Sequence, residues 1–370
     1  MAGSTGWKAC ATGLQPPQTS LKTKGNMTSN TFSFGQLLMV GLPGPRADSV
    51  ARELVRDLKV GGIILFARNL EDPAQVWELN RDLQREALAA TGQPLLIALD
   101  QEGGPVQRLR APFTLIPSAR ELGNRSSPAE VELLARQTAR ELGLVGVNVN
   151  LAPVLDVARG PDCPQWERSY GPEPEKVAAL GRAAIRGYLA GGVLPVAKHF
   201  PGLGDTCKDS HEELPRAASP DPQREVDLLP FRRAIEAGVP LIMTAHVLVP
   251  EWDEAPATLS PVALQDWLRK KMGFEGVIMT DDLEMGAIAQ QARVPQAAGA
   301  ALAAGADILL ICRDWEGARE TAQFLARDPA LKRPGEEAGA RLHSLKKRLG
   351  APATQRQEVK DFFGQRGGGA

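Results

Sequence analysis

Cysteine is scarce and scattered. The four present, Cys10, Cys163, Cys207 and Cys312, form no C-x-x-C pair, which argues against a disulfide framework or a cysteine zinc site and fits a reducing compartment. Net charge is equally scarce: at a formal −1 the chain lacks the electrostatic footprint of a general nucleic-acid binder. No stretch approaches the ~20 continuous apolar residues that span a bilayer. Residues 1–30 are rich in Ser, Thr, Gly and Lys and lack the apolar core of a signal peptide or lipoprotein leader. The expectation is a cytoplasmic protein with neither nucleic-acid nor membrane partner. Internal repeats are missing, as is low complexity outside the glycine-rich C-terminal end. No G-x-G-x-x-G opens a helix after the first apolar run, and Gly41-Leu42-Pro43-Gly44 is too short to serve as one.

What is present is a core and a rhythm. With 43% apolar and 24% charged residues the chain can bury a large interior. From Gly35 onward short apolar runs alternate with longer amphipathic segments. Strands are expected at 37–41, 62–66, 94–100, 147–155, 193–198, 241–246, 277–280 and 307–311. Helices are expected near 48–58, after Ser127-Pro128-Ala129-Glu130, which combines an N-cap, a first-turn proline and a capping-box glutamate, and where Val177, Leu180, Ala184, Ile185 and Tyr188 share one face. Strands that are apolar throughout, each followed by a helix, match a closed parallel barrel better than an open doubly wound sheet. The fold class expected is therefore α/β, a single (β/α)8 TIM-type barrel over residues 31–351, with poorly ordered tails at 1–30 and 352–370.

Such a barrel carries its chemistry where the strands end. Polar residues crowd those positions: Asp100-Gln101-Glu102 with Arg108 close behind, then Arg168, Lys198 and His199, His246, and Asp281-Asp282. Taken singly each has a plain structural reading. Asp100 could cap a loop, Arg108 could pair with Glu102, and Asp282 could be a helix N-cap. Charged groups at the same end of five strands together point to a pocket for a polar small molecule.

Asp209-Ser210-His211 is more specific. Residues two apart in an extended segment point the same way, so the aspartate can orient and charge the histidine. The pair makes a general acid/base that titrates near neutrality without tuning. A loop Asx-turn beside a solvated histidine is the competing reading.

Lys198-His199-Phe200-Pro201-Gly202, Asp205-Thr206 and Asp209-Ser210-His211 resemble the signature of bacterial β-N-acetylhexosaminidases of glycoside hydrolase family 3. So do Asp100-Gln101-Glu102-Gly103-Gly104, Arg168-Ser169-Tyr170-Gly171, Thr244-Ala245-His246, Pro256-Ala257-Thr258-Leu259-Ser260-Pro261 and Thr280-Asp281-Asp282-Leu283. The motifs fall in family order over about residues 35–315. The resemblance implies a one-domain, monomeric enzyme that removes terminal β-linked N-acetylglucosamine with retention of configuration, needs no cofactor or metal, and trims muropeptides in cell-wall recycling. By motif position Asp281 is the nucleophile, and Asp209 and His211 form the acid/base dyad on a mobile loop. Asp100, Arg108, Arg168, Lys198, His199 and His246 are the sugar-binding residues.

Two positions depart from the family pattern. Leu203 stands where a second histidine is usual, and Pro105 where an arginine is usual, which bears on loop closure and on the approach of Arg108. Other readings stay open at this point. One is a β-glucosidase, β-xylosidase or N-acetylglucosamine phosphorylase on the same scaffold. Another is a metal hydrolase using His199, Asp205, Asp209 and His211, although their spacing matches no metal motif. A Schiff-base lyase using Lys198 and a non-catalytic sugar-binding protein complete the set.

Overall fold

A computed structural model describes residues 32–206, 208–210, 212–217, 221–350 and 354–367. The expected tail at 1–30, Cys207 and His211 lie outside the described residues. Eight parallel strands close into a barrel: β1 (Leu38–Gly41), β2 (Gly62–Leu65), β3 (Leu96–Leu99), β4 (Val149–Asn150), β5 (Leu194–Phe200), β6 (Leu241–Thr244), β7 (Val277–Asp282) and β8 (Ile308–Ile311). Each pairs with the next in sequence, and β8 returns to β1 through Leu38, Met39 and Val40 opposite Leu309, Leu310 and Ile311. All eight expected strands are present at their expected places.

The fourth is far shorter than the apolar run from Val147 to Leu155 suggests, for two reasons visible in the side chains. Asn148 and Asn150 substitute their amides for ladder partners. Asn148 bonds Ile97 N at 2.8 Å and Leu95 O at 2.9 Å, and Asn150 bonds Gln101 N at 3.0 Å and Gln101 O at 3.1 Å. Pro153 then has no N–H to give the ladder. Contact with β5 resumes as an isolated parallel bridge between Val154 and Lys198. The segment after β4 thus runs beside the functional end of β5.

The helices form where their signals lie. Ser127 Oγ and the Glu130 carboxylate cap Pro128–Leu144 reciprocally. Asp72 caps Pro73–Thr91, which ends on Gly92 at φ 68°, a left-handed stop that favours glycine. Pro174–Ala190 lays Val177, Leu180, Ala184, Ile185 and Tyr188 against the barrel. The segment after Asp48 starts as an α-helix over Ser49–Arg52 and continues with wider, π-type turns over Glu53–Asp57.

Two features escape the periodicity. After β3 the chain forms a hairpin of Gln101–Gly103 and Val106–Gln107 before any helix. Its turn holds Gly103 and Gly104 at φ 108° and 53°. The stretch from 352 onward, expected as a tail, instead carries the helix Arg356–Gly367, which buries Val359 and Phe363 against Pro73–Thr91 and Phe113. Two apolar residues four apart are a weak signal in sequence and become a helix only because a surface waits for them. Among the described residues no helix is long and apolar enough to cross a membrane.

Candidate active site

A cavity of about 340 Å³ opens at the C-terminal end of the barrel. Its floor is apolar: Ile64 of β2, Leu151 just after β4, Met243 of β6 and Leu310 of β8, one side chain from each alternate strand, as barrel interiors are filled. The charged groups come from the other set. Asp100 follows β3, Lys198 lies in β5 and Asp281 in β7, and all three line the same cavity.

On one wall five side chains form a continuous chain of ion pairs. Lys198 Nζ lies 2.9 Å from Asp100 Oδ1 and 2.6 Å from Glu102 Oε1. Arg108 Nη2 donates to Asp100 Oδ2 at 3.0 Å, and Arg168 donates from Nε and Nη2 to the two oxygens of Glu102, both at 2.8 Å. Arg108 therefore pairs with Asp100, and Glu102 serves the other two cations. Burial would raise both carboxyls, but the Lys198 and Arg108 charges hold Asp100 far below the ordinary carboxylate range, and Arg168 and Lys198 bring Glu102 down to about 2. Burial likewise disfavours the Lys198 ammonium, yet Asp100 and Glu102 overrule it and raise its pKa. The wall is a fixed array of charges, suited to gripping several hydroxyls at once through charge-assisted hydrogen bonds.

His199 stands beside this array. Its Nδ1 is 2.7 Å from Asp156 Oδ2, and its Nε2 is 3.4 Å from Arg168 Nη2. Asp156 is fully buried.

Asp281 faces the array from β7. Burial would raise its carboxyl, but positive charge beside it, from His199 and His246 when protonated and from Lys198, and the backbone N–H of Asp282 at 2.8 Å lower it. It is an ionised carboxylate lining the cavity. Its neighbour Asp282 behaves oppositely, pushed up to about 7 by burial and by Glu284, with its Oδ1 already accepting from Glu284 N and Cys312 N. His246, expected to touch the sugar, does not line the cavity. It is fully buried, with Nε2 2.8 Å from the Asp282 carbonyl and Nδ1 2.8 Å from Thr258 Oγ1. Because a carbonyl can only accept, Nε2 carries a proton there, and the ring braces the end of β7.

The loop after β5 starts firmly fixed. Gly202 adopts φ 118°, and a Cβ on Gly204 would sit 2.0 Å from the Val157 carbonyl oxygen. Leu203 N donates to Asp156 Oδ1 at 2.8 Å, and Thr206 Oγ1 donates to Leu203 O at 2.9 Å. These glycines anchor the start of the loop: they permit close backbone packing. Leu203 itself is buried and lines the cavity. Further along, Ser210 also lines the cavity, and its carbonyl accepts from Ala287 N at 3.2 Å. Asp209 is exposed, with its carbonyl accepting from Glu212 N and Glu213 N.

Sequence reasoning counts Glu102 only among the charged strand ends and assigns no site role to Asp156, Phe66 or Arg68. Asp156 follows an apolar run just as Asp100 does, so the strand-end rule could have found it. Arg68 had no such signal; it donates to Leu42 O and Cys312 O, tying the segment after β2 to the ends of β1 and β8, and its guanidinium lies 4.7 Å over the Phe66 ring. Pro105 sits exposed at the hairpin turn, away from the cavity, and Arg108 reaches Asp100 past it.

The geometry also bears on the rival chemistries. A lysine nucleophile must be neutral, and Lys198 is held charged by two carboxylates. A metal ligand set built on His199 would need a free ring nitrogen, but Nδ1 is engaged by Asp156 and Nε2 faces a guanidinium. Among the described residues no three of His, Cys, Asp and Glu converge as metal ligands.

Comparison with known proteins agrees with this geometry. Residues 32–327 match the glycosyl hydrolase family 3 N-terminal domain. A protein named beta-hexosaminidase from Alkalilimnicola ehrlichii is 41% identical over 286 residues, 74% of this chain and 80% of that protein. Another so named, from Thiobacillus denitrificans, is 39% identical over 315 residues, 83% of this chain and 86% of that protein. Among solved structures, a family 3 beta-N-acetylglucosaminidase from a Paenibacillus species superposes with a TM-score of 0.84 at 38% identity, covering 90% of this chain and 68% of that one.

Proposed function

The chain belongs to glycosyl hydrolase family 3, and on that premise we propose that it is a retaining exo-β-N-acetylglucosaminidase acting through a covalent glycosyl-aspartate. The observation that carries the reading is the Asp281 carboxylate, held ionised in the cavity across from the Asp100, Arg108, Arg168 and Lys198 array. A retaining glycosidase needs a nucleophile at the anomeric carbon and a proton donor at the leaving oxygen. Asp281 attacks C1 while the acid protonates the departing group; the same group then takes a proton from the incoming water as the ester bond breaks.

The proton donor proposed is His211, oriented by Asp209. The support is its place in sequence: Ser210, the residue before it, lines the cavity. A histidine can hold or release its proton near neutral pH and so serve both steps. The name of the Paenibacillus structure, a family 3 beta-N-acetylglucosaminidase, supports N-acetylglucosamine as the cleaved sugar. The resemblance extends the reading to N-acetylglucosamine-terminated muropeptides in the cytoplasm and to a monomer.

The deciding experiment compares an aryl β-N-acetylglucosaminide with the matching aryl β-glucoside. A large preference for the first is expected, and the reverse would sink the substrate assignment. His211→Ala should harm substrates with poor leaving groups far more than activated aryl ones. Equal harm to both would remove the acid role.

A further inference from the structure

Asp156 has no hydroxyl-gripping or bond-breaking task in the mechanism above, yet its carboxylate is spent entirely on two parts of the site. Its Oδ2 lies 2.7 Å from His199 Nδ1, and its Oδ1 accepts from Leu203 N at 2.8 Å and from His199 N at 3.3 Å. Its own carbonyl accepts from Ser169 Oγ at 2.6 Å, next to Arg168. The residue is fully buried. One side chain thus touches the ring that stands by the sugar wall and the first turn of the loop that leads to Asp209 and His211. Its backbone carbonyl holds Ser169, the residue after Arg168.

We propose that Asp156 is the positioning residue of this site: it fixes His199 as the Nδ1–H tautomer, and with its other oxygen it registers the Leu203 turn to that ring. The chemistry follows from what each atom can do. A carboxylate oxygen accepts, so Nδ1 facing it carries the proton. The neutral Nδ1–H ring has its one lone pair on Nε2, where Arg168 Nη2 makes only a long 3.4 Å contact that a sugar hydroxyl replaces when it donates there. His199 therefore presents an acceptor to a sugar hydroxyl, while Arg168 and Lys198 present donors. Were the tautomer reversed, Nε2–H would confront the guanidinium N–H and the wall would hold only donors at that point. Fixing a ring by a buried carboxylate on its far nitrogen is how proteins set imidazole tautomers elsewhere.

The sugar-binding consequence rests on the function proposed above; the tautomer does not. Nitrogen NMR of the imidazole rings reads it without substrate, and with four histidines in the chain a His199→Asn variant assigns the signal. Wild-type protein should show His199 with its proton on Nδ1. An Nε2–H ring in the wild type overturns the proposal whatever the enzyme cleaves. Asp156→Asn keeps an acceptor for Leu203 N but turns an N–H towards Nδ1, so the tautomer should reverse and kcat/KM should fall by about tenfold or more, mainly through KM. In the His199→Asn background the same substitution should cost little further, because the two act through one contact. An equal loss in both backgrounds would mean that Asp156 supports only the fold, and would overturn the positioning role. If Asp156→Asn does not fold, the wild-type ring signal still decides.

Discussion

Arg168 grips Glu102 with two parallel bonds, Nε to Oε2 and Nη2 to Oε1, both at 2.8 Å, in a part of the site where the Glu102 side chain is only 5% exposed. Lys198 shares the same carboxylate. Removing one member of such a buried set leaves the others uncompensated, which costs more than the pair itself contributes. Glu102→Gln should therefore destabilise the protein by about 3–5 kcal/mol and raise KM, and Arg168→Lys should cost less but still weaken binding, because lysine cannot reproduce the fork. Denaturant melts alongside KM measurements check this; an unperturbed Glu102→Gln protein would show that the network is dispensable.

Asp281 and Asp282 are adjacent in sequence and opposite in charge behaviour. The first is lowered, so it is ionised throughout the neutral range and its own titration lies below the ordinary carboxylate range. The second is pushed up to about 7, and its Oδ1 is occupied by two N–H groups. Asp281→Asn should thus lower kcat by several orders of magnitude, with no substitution by Asp282. The acid limb of wild-type kcat should not report Asp281 between pH 5 and 8. Full activity in Asp281→Asn would reassign the nucleophile.

Lys346 is a buried ammonium whose Nζ donates to Gln36 Oε1 at 3.1 Å, and burial brings its pKa down to about 8. The folded protein then binds fewer protons at this site than the unfolded chain between about pH 8 and the ordinary lysine value near ~10.4, so stability from this group rises with pH across that window. Lys346→Met should stabilise the protein at pH 7 by roughly 1–3 kcal/mol, and the difference from wild type should shrink as pH rises towards 10. Thermal melts at pH 7 and 10 measure both. A destabilised methionine variant would mean that the amine is better satisfied than its burial implies.

The helix Arg356–Gly367 lies beyond the segment that matches the family domain, yet Phe363 packs on Phe113 with ring centroids 4.4 Å apart, and Arg366 pairs with Glu141, which in turn accepts from Thr114 N and Oγ1. Phe363→Ala should cost about 3–5 kcal/mol if the site cannot collapse. Because Phe113 and Thr114 follow closely on Arg108, removal of residues 354–370 should also raise KM. Loss of neither stability nor affinity would make the helix a passive appendage.

The strands, the barrel and the positions of the charged strand ends were legible because they depend on local facts: apolar runs of strand length, capping residues, and the rule that barrels carry polar groups where strands stop. Asp100, Arg108, Arg168, Lys198, His199 and Asp281 all reach one cavity as that rule requires. Pairings were not legible, because they join residues far apart in sequence. Nothing local distinguishes a Glu102 that meets Arg168 and Lys198 from one that meets Arg108, or a His246 that touches sugar from one that braces the Asp282 carbonyl. The same holds for Gly204, whose missing Cβ makes room for the Val157 carbonyl, and for Phe363, which is a tail residue until Phe113 is placed beside it. The sequence by itself determined which groups stand at the mouth of the barrel. Only the tertiary structure decided which of them neutralise one another and which, like the Asp281 carboxylate, are left charged and facing the cavity, because that depends on distances of a few ångströms between separate strands.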